Sequence, residues 1–129
     1  IIKLIMSNCK IETIDKVKLL NEKIFEFLDY LNDIISINKI NIDGKNINKL
    51  KNQIKLGLMY DICLVMDLFE NHILKYKDYI INRNEFIINE IQNKILDNKI
   101  KLYSMWKNIN NENKDVIWKY LNVFLLLVE

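Results

Sequence analysis

Between Ile14 and Ile34 apolar residues return at steps of three and four, through Val17, Leu20, Ile24, Phe27 and Leu31. That is the spacing of one helix face, so a first helix is expected over 14–35. Thr13 is placed to accept from a free first-turn amide, and Asp15 suits the positive end of the helix dipole. A second stripe runs from Ile47 through Leu50, Ile54, Leu58, Ile62, Val65, Phe69, Ile73 and Tyr76 to Ile80. As one helix it would reach roughly 50 Å at 1.5 Å per residue, so a bend or break is expected, with Gly57 and Asn71-His72 as candidate positions. A third helix carries Phe86, Ile87, Ile91 and Ile95 and frays near Asp97-Asn98. A short one holds Ile100, Tyr103, Met105 and Trp106. The last carries Val116, Ile117, Tyr120, Leu121, Phe124, Leu125 and Val128 on a face wide enough to make it the most buried element.

Punctuation between these stripes is sparse. Asn41-Ile-Asp-Gly44-Lys-Asn46 supplies turn chemistry after the first helix. Asn82-Arg-Asn84 marks a later boundary, and the asparagines of 108–113 favour turns and caps over helix interior. Alternation by two is not sustained anywhere, so the many β-branched isoleucines do not make strands; Ile1 to Met6 is the one candidate extended segment. The expectation is an all-α fold: one helical domain over 1–129, a compact bundle of about five helices, with residues 1–10 extended or disordered.

Composition changes how much weight the polar residues bear. The chain has no Ala and no Pro, Arg83 is its one arginine, and Ile with Asn makes up a third of it. An A+T-rich coding sequence produces this bias, which lowers the information carried by each lysine and asparagine. Lys and Arg number 19 against 17 acids, a net charge of +2, and so balanced a charge calls for neither a nucleic acid nor an anionic membrane. No run approaches the roughly 18–20 apolar residues that span a bilayer; Val123–Val128 comes nearest. Met6-Ser7-Asn8 has the form of a translation start, which makes Ile1–Ile5 an upstream extension or the sign of a processed or partial chain; they lack the features of a signal peptide. Cys9 and Cys63 lie far apart, and no Asn-x-Ser/Thr acceptor occurs, which fits a reducing compartment. A location in cytoplasm or nucleus, without secretion, is expected.

Candidate chemistry is thin. Glu22, Glu26, Asp29 and Asp33 share one face of the first helix, but a carboxylate bundle that holds metals adds Glu-x-x-His motifs, and Phe69 stands three residues before His72, the single histidine. A solvated acidic face is the better reading, partly opposed by Lys45, Lys49, Lys51 and Lys55 on the next helix. Those lysines serve as a phosphate contact only in a second reading. Ser7, Thr13, Ser36 and Ser104 are the whole hydroxyl inventory, none in a nucleophile-elbow setting, and two glycines build no phosphate cradle. No catalytic residue, cofactor, metal or small-molecule substrate is expected. Cys63, within Ile62-Cys-Leu-Val-Met66, reads as a small buried hydrophobe.

Tryptophan is enriched at binding hot spots, which makes Trp106, Trp118, Tyr120 and Phe124 the candidate partner-binding residues. A core role is the preferred reading for so apolar a helix. The segment Phe69-x3-Ile73-x2-Tyr76-Lys77-x2-Ile80-x2-Arg83-x-Glu85-Phe86, with Trp106 and Lys114-Asp-Val-Ile-Trp-Lys-Tyr-Leu121, resembles short helical proteins of unassigned function encoded by large nucleocytoplasmic DNA viruses. The resemblance covers about half of the chain and implies a viral source, in host cytoplasm or virion. Two roles follow as expectations: a non-enzymatic component of a viral assembly, acting through a protein partner or self-association, or a helical-bundle regulator of host apoptosis or signalling that holds a partner helix in an apolar groove. The Asn-Trp-Gly-Arg element of such regulators is absent, which favours assembly.

Overall fold

The computed structural model describes residues 14–38 and 44–129. Seven α-helices follow one another over these residues: α1 Ile14–Asn38, α2 Gly44–Tyr60, α3 Leu64–His72, α4 Lys77–Ile81, α5 Phe86–Glu90, α6 Leu102–Met105 and α7 Asn111–Val128. Short 3-10 turns follow α3 and α6, at Leu74–Tyr76 and Trp106–Asn108, and α5 continues into a π turn at Ile91–Ile95. No strand occurs among the described residues, so the all-α expectation holds, with finer segmentation than five helices. The extended reading of 1–10, the Thr13 cap, Cys9, the turn residues before Gly44 and the Lys45 side chain lie outside the described residues.

In α1 the stripe is buried from Val17 to Ile34, and Leu28 and Ile35 widen it. Burying each large apolar side chain contributes roughly 1.5–3 kcal/mol before entropy is charged. Packing of α1 against α7 is antiparallel. The Tyr30 hydroxyl donates to Asn113 Oδ1 at 2.7 Å near one end, and the Phe27 ring meets those of Tyr120 and Phe124 further along, at 5.3 and 5.5 Å. From the other side α3 reaches the same place: Phe69 and Phe124 are 4.9 Å apart, edge to face. Phe27, Phe69 and Phe124 are all fully buried, and one continuous apolar core includes them.

The long second stripe breaks at 61–63, four residues past Gly57. Asp61 turns the chain by accepting from the Cys63 amide at 3.0 Å, an Asx turn of the kind that competes with helix. Gly57 makes the fold-back possible. A Cβ there would stand 2.5 Å from Leu64 Cδ2, so Leu64 packs where any side chain would block it. The stripe breaks again after His72, where the 3-10 turn separates α3 from α4. Only Ile47 and Leu50 of α2 are fully buried, with Ile54 and Leu58 partly covered, so α2 lies at the margin of the core.

The C-terminal half is stitched by polar groups at helix ends. Arg83, at φ 51, closes α4 as a left-handed residue while the Asn84 amide donates to the Tyr79 carbonyl at 2.8 Å and the Arg83 amide to Ile80 at 3.1 Å. This is the paired bonding of a Schellman ending, with arginine where glycine is usual. Gln92, in the π turn, is buried, and its Oε1 accepts from the Tyr103 and Ser104 amides at 2.8 and 3.4 Å. It thereby caps α6 from eleven residues away in place of Lys101, whose side chain makes no cap bond. Asn110 caps α7 by accepting from the Asn113 amide at 2.8 Å, as the asparagine-rich stretch led one to expect.

Gln92→Leu keeps the volume and removes the acceptor, leaving two amides of α6 without their partner. The expected loss is about 1–3 kcal/mol, read from the midpoint of urea unfolding; an unchanged midpoint would show that α6 needs no distant cap.

Candidate functional site

The four candidate partner-binding residues of α6 and α7 are largely interior. Trp106, Trp118 and Phe124 are 3%, 4% and 1% exposed, and Tyr120 is partly covered. The two indoles meet edge to face at 5.7 Å, and Lys114 Nζ sits over the Trp106 ring at 5.3 Å. Burial pushes the Tyr120 hydroxyl above its ordinary value, helped by Glu26. The same burial argument holds for Tyr30. These side chains build the core, which is the reading preferred for so apolar a helix. Phe86 and Tyr103, by contrast, were assigned to helix faces expected to be buried, and both are exposed. They belong to very short elements, α5 and α6, in which a single turn leaves half of its residues facing out.

The charged stripes meet at one point, where Lys51 donates to Asp29. Lys55 lies over the Phe25 ring at 5.9 Å, while Glu22 and Asp33 face solvent. Among the described residues no group of three or more His, Cys, Asp and Glu is placed to hold a metal ion. His72 stands beside one carboxylate from another helix, with Nδ1 3.5 Å from Glu90 Oε1. A carboxylate can orient an imidazole, but the pair supplies no nucleophile of its own. Cys63 is buried as expected, yet its sulfur is held in a disulfide. That corrects its reading as an inert small hydrophobe and removes the cysteine-based argument for a reducing compartment, since disulfides persist where surroundings are oxidising. No helix among the described residues is long and apolar enough to cross a membrane.

What the surface does offer is apolar. At the end of α2, Leu56, Met59 and Tyr60 are 57%, 64% and 74% exposed. Their spacing places them together on one side of the helix, and the partly exposed Leu64 follows across the corner. A second group is aromatic: Tyr76 stacks on Tyr79 at 5.6 Å, and Tyr79 meets Phe86 edge to face at 5.7 Å. Next to Phe86, Glu85 lines a hollow of about 380 Å³ together with Tyr103, Ser104, Trp106 and Lys107. A smaller hollow of about 260 Å³ lies between α1 and α7, lined by Lys23, Val116, Lys119, Tyr120 and Val123. Both its lysines are already paired, Lys23 with Glu26 at 2.9 Å and Lys119 with Asp115 at 3.0 Å. Leu56, Met59, Tyr60 and Tyr79 all fall off the stripe that runs from Ile47 to Ile80, and that off-stripe position was the available signal that they face outward.

No protein family, no curated protein and no solved structure matches the chain.

Two expectations follow from these placements. Phe124→Ala should cost about 3–5 kcal/mol of stability, measured by calorimetry or denaturant, because the ring joins α1, α3 and α7; full stability in that variant would mean that the ring is not a core residue. Asp67, in the first turn of α3, has its carboxyl raised above the ordinary value by burial, then by Asp61 and Glu70. A folded pKa above the unfolded one means that the folded state holds the proton more tightly. Stability from this group therefore grows as pH falls through the folded pKa and is complete below the unfolded value. Asp67→Asn should accordingly raise the melting temperature at pH 7, by an amount that shrinks in acid, and a lowered melting temperature at pH 7 would contradict the assignment.

Proposed function

We propose that this chain is a non-enzymatic protein–protein interaction module that associates with further copies of itself, as a small component of a viral assembly or virion. The observation that carries the reading is the apolar group at the α2–α3 corner. Leu56, Met59, Tyr60 and Leu64 are adjacent, exposed and unaccompanied by charge pairs, and contiguous apolar surface of this kind accompanies association sites. It lies on the helix least committed to the core, so it is free to be covered without disturbing the fold.

The viral setting is supported by the resemblance of Lys114–Leu121 and its neighbours to proteins of large DNA viruses. Since Ile117, Trp118 and Leu121 are buried, that likeness bears on how α7 packs and leaves the partner surface undetermined by it. The alternative, a regulator that grips a partner helix, has less support. The hollow between α1 and α7 is smaller than the roughly 300–1,000 Å³ of ordinary ligand pockets, whereas a docked helix inserts several anchors along a groove.

The mass of the purified full chain, followed by analytical ultracentrifugation over a concentration series, tests this. Association is expected, and Met59→Glu is expected to shift it to monomer while leaving the helical circular dichroism intact. A chain that is monomeric at every concentration, or an oligomer indifferent to Met59→Glu, would overturn the reading.

A further inference from the structure

The aromatic group on α4, α5 and α6 is separate from the α2 corner and has a different chemistry. Tyr76, Tyr79 and Phe86 form a row of touching rings. The hollow at Glu85, Tyr103 and Trp106 continues it. Along the row the donors are free. Among the described residues the hydroxyls of Tyr76, Tyr79, Tyr103 and Ser104 and the ammonium of Lys107 have no hydrogen-bonding or ion-pair partner. The indole N–H of Trp106, in the wall of the hollow, also has none.

We propose that this row and hollow bind a proline-rich peptide in the polyproline II conformation, oriented by a basic residue of the peptide that meets Glu85. A polyproline II backbone makes no internal hydrogen bonds, so its carbonyls are available to such donors, whereas the backbone of an α-helix is already satisfied. Proline rings lie flat on aromatic ones, and the preformed conformation lowers the ordering cost of binding. The charges fit as well. Glu85 has no ion-pair partner among the described residues, while the nearby cations Lys77 and Arg83 are taken by Glu129 and Asp115, each at 2.8 Å. A single-stranded nucleic acid would need those cations unpaired, and Asp78 and Glu85 would repel its phosphates. The chain has no proline, so the occupant is a different molecule and the site is independent of self-association.

The test is a titration of the isotopically labelled full chain, by NMR, with a synthetic proline-rich peptide carrying a terminal arginine. Saturable shifts are expected at the Trp106 indole and at the amides of Tyr79, Phe86 and Tyr103. Tyr103→Ala, an exposed position, should weaken binding by about tenfold or more; Glu85→Gln should weaken the arginine-bearing peptide and spare one without arginine. No saturable shift, shifts that Tyr103→Ala leaves unchanged, or saturation of the same resonances by oligothymidine in place of the peptide would each overturn the proposal. Sedimentation of the Tyr103→Ala chain separates the two readings, since self-association through Met59 is expected to survive that change.

Discussion

Phe124 lies between Phe27 and Phe69, and through it the three helices α1, α3 and α7 share one contact. Everything else in the fold is arranged around that stack. Aromatic rings bury more area per side chain than any aliphatic and prefer edge-to-face geometry, so three of them at one point fix the spacing and the rotation of the helices that carry them. With α1 and α7 locked antiparallel, the chain between them must return along the outside, which it does in short helices, because the space beside α7 is only as long as α7 itself.

Those short returns have to be made in a chain with two glycines and no proline. Left-handed backbone therefore falls on Arg83, Asp97 and Asn98. Asp and Asn accept that conformation through local hydrogen bonding, and Arg83 is held there by two backbone bonds and an ion pair to Asp115. The π turn at Ile91–Ile95 is part of the same solution. Its wider winding, closed by the Leu96 amide on the Ile91 carbonyl at 2.9 Å, accompanies the placement of Gln92 inside the fold, where its amide oxygen starts α6. A polar side chain in the core is tolerable because that oxygen is satisfied.

The same short elements expose the aromatic surface. An α-helix of four or five residues has no complete buried face, so Tyr79, Phe86 and Tyr103 point outward even though their neighbours Ile80, Ile87 and Leu102 are buried. At the other margin, α2 contributes two fully buried residues and leaves its last turn apolar and uncovered. The surfaces available for recognition thus arise where the core runs out of helices to cover its edges.

Helical class, the extent of α1, the start of α7 and its asparagine cap, and the boundaries at 82–84 and 97–98 were legible in the sequence, because each depends on local periodicity or on turn chemistry within a few residues. The break at 61–63 was legible only as a need for a break; its position depends on Leu64 folding onto Gly57, a contact made after the chain has turned. Whether Trp106, Trp118, Tyr120 and Phe124 face a partner or the core was open in the sequence, since an apolar helix reads the same in either case, and it was decided by Phe27, Phe69 and Lys114 arriving from distant segments. The Gln92 cap, the Cys63 disulfide and the exposure of Phe86 and Tyr103 carried no local signal at all. Periodicity records which side of a helix is apolar, and only packing determines which of those sides finds something to cover it.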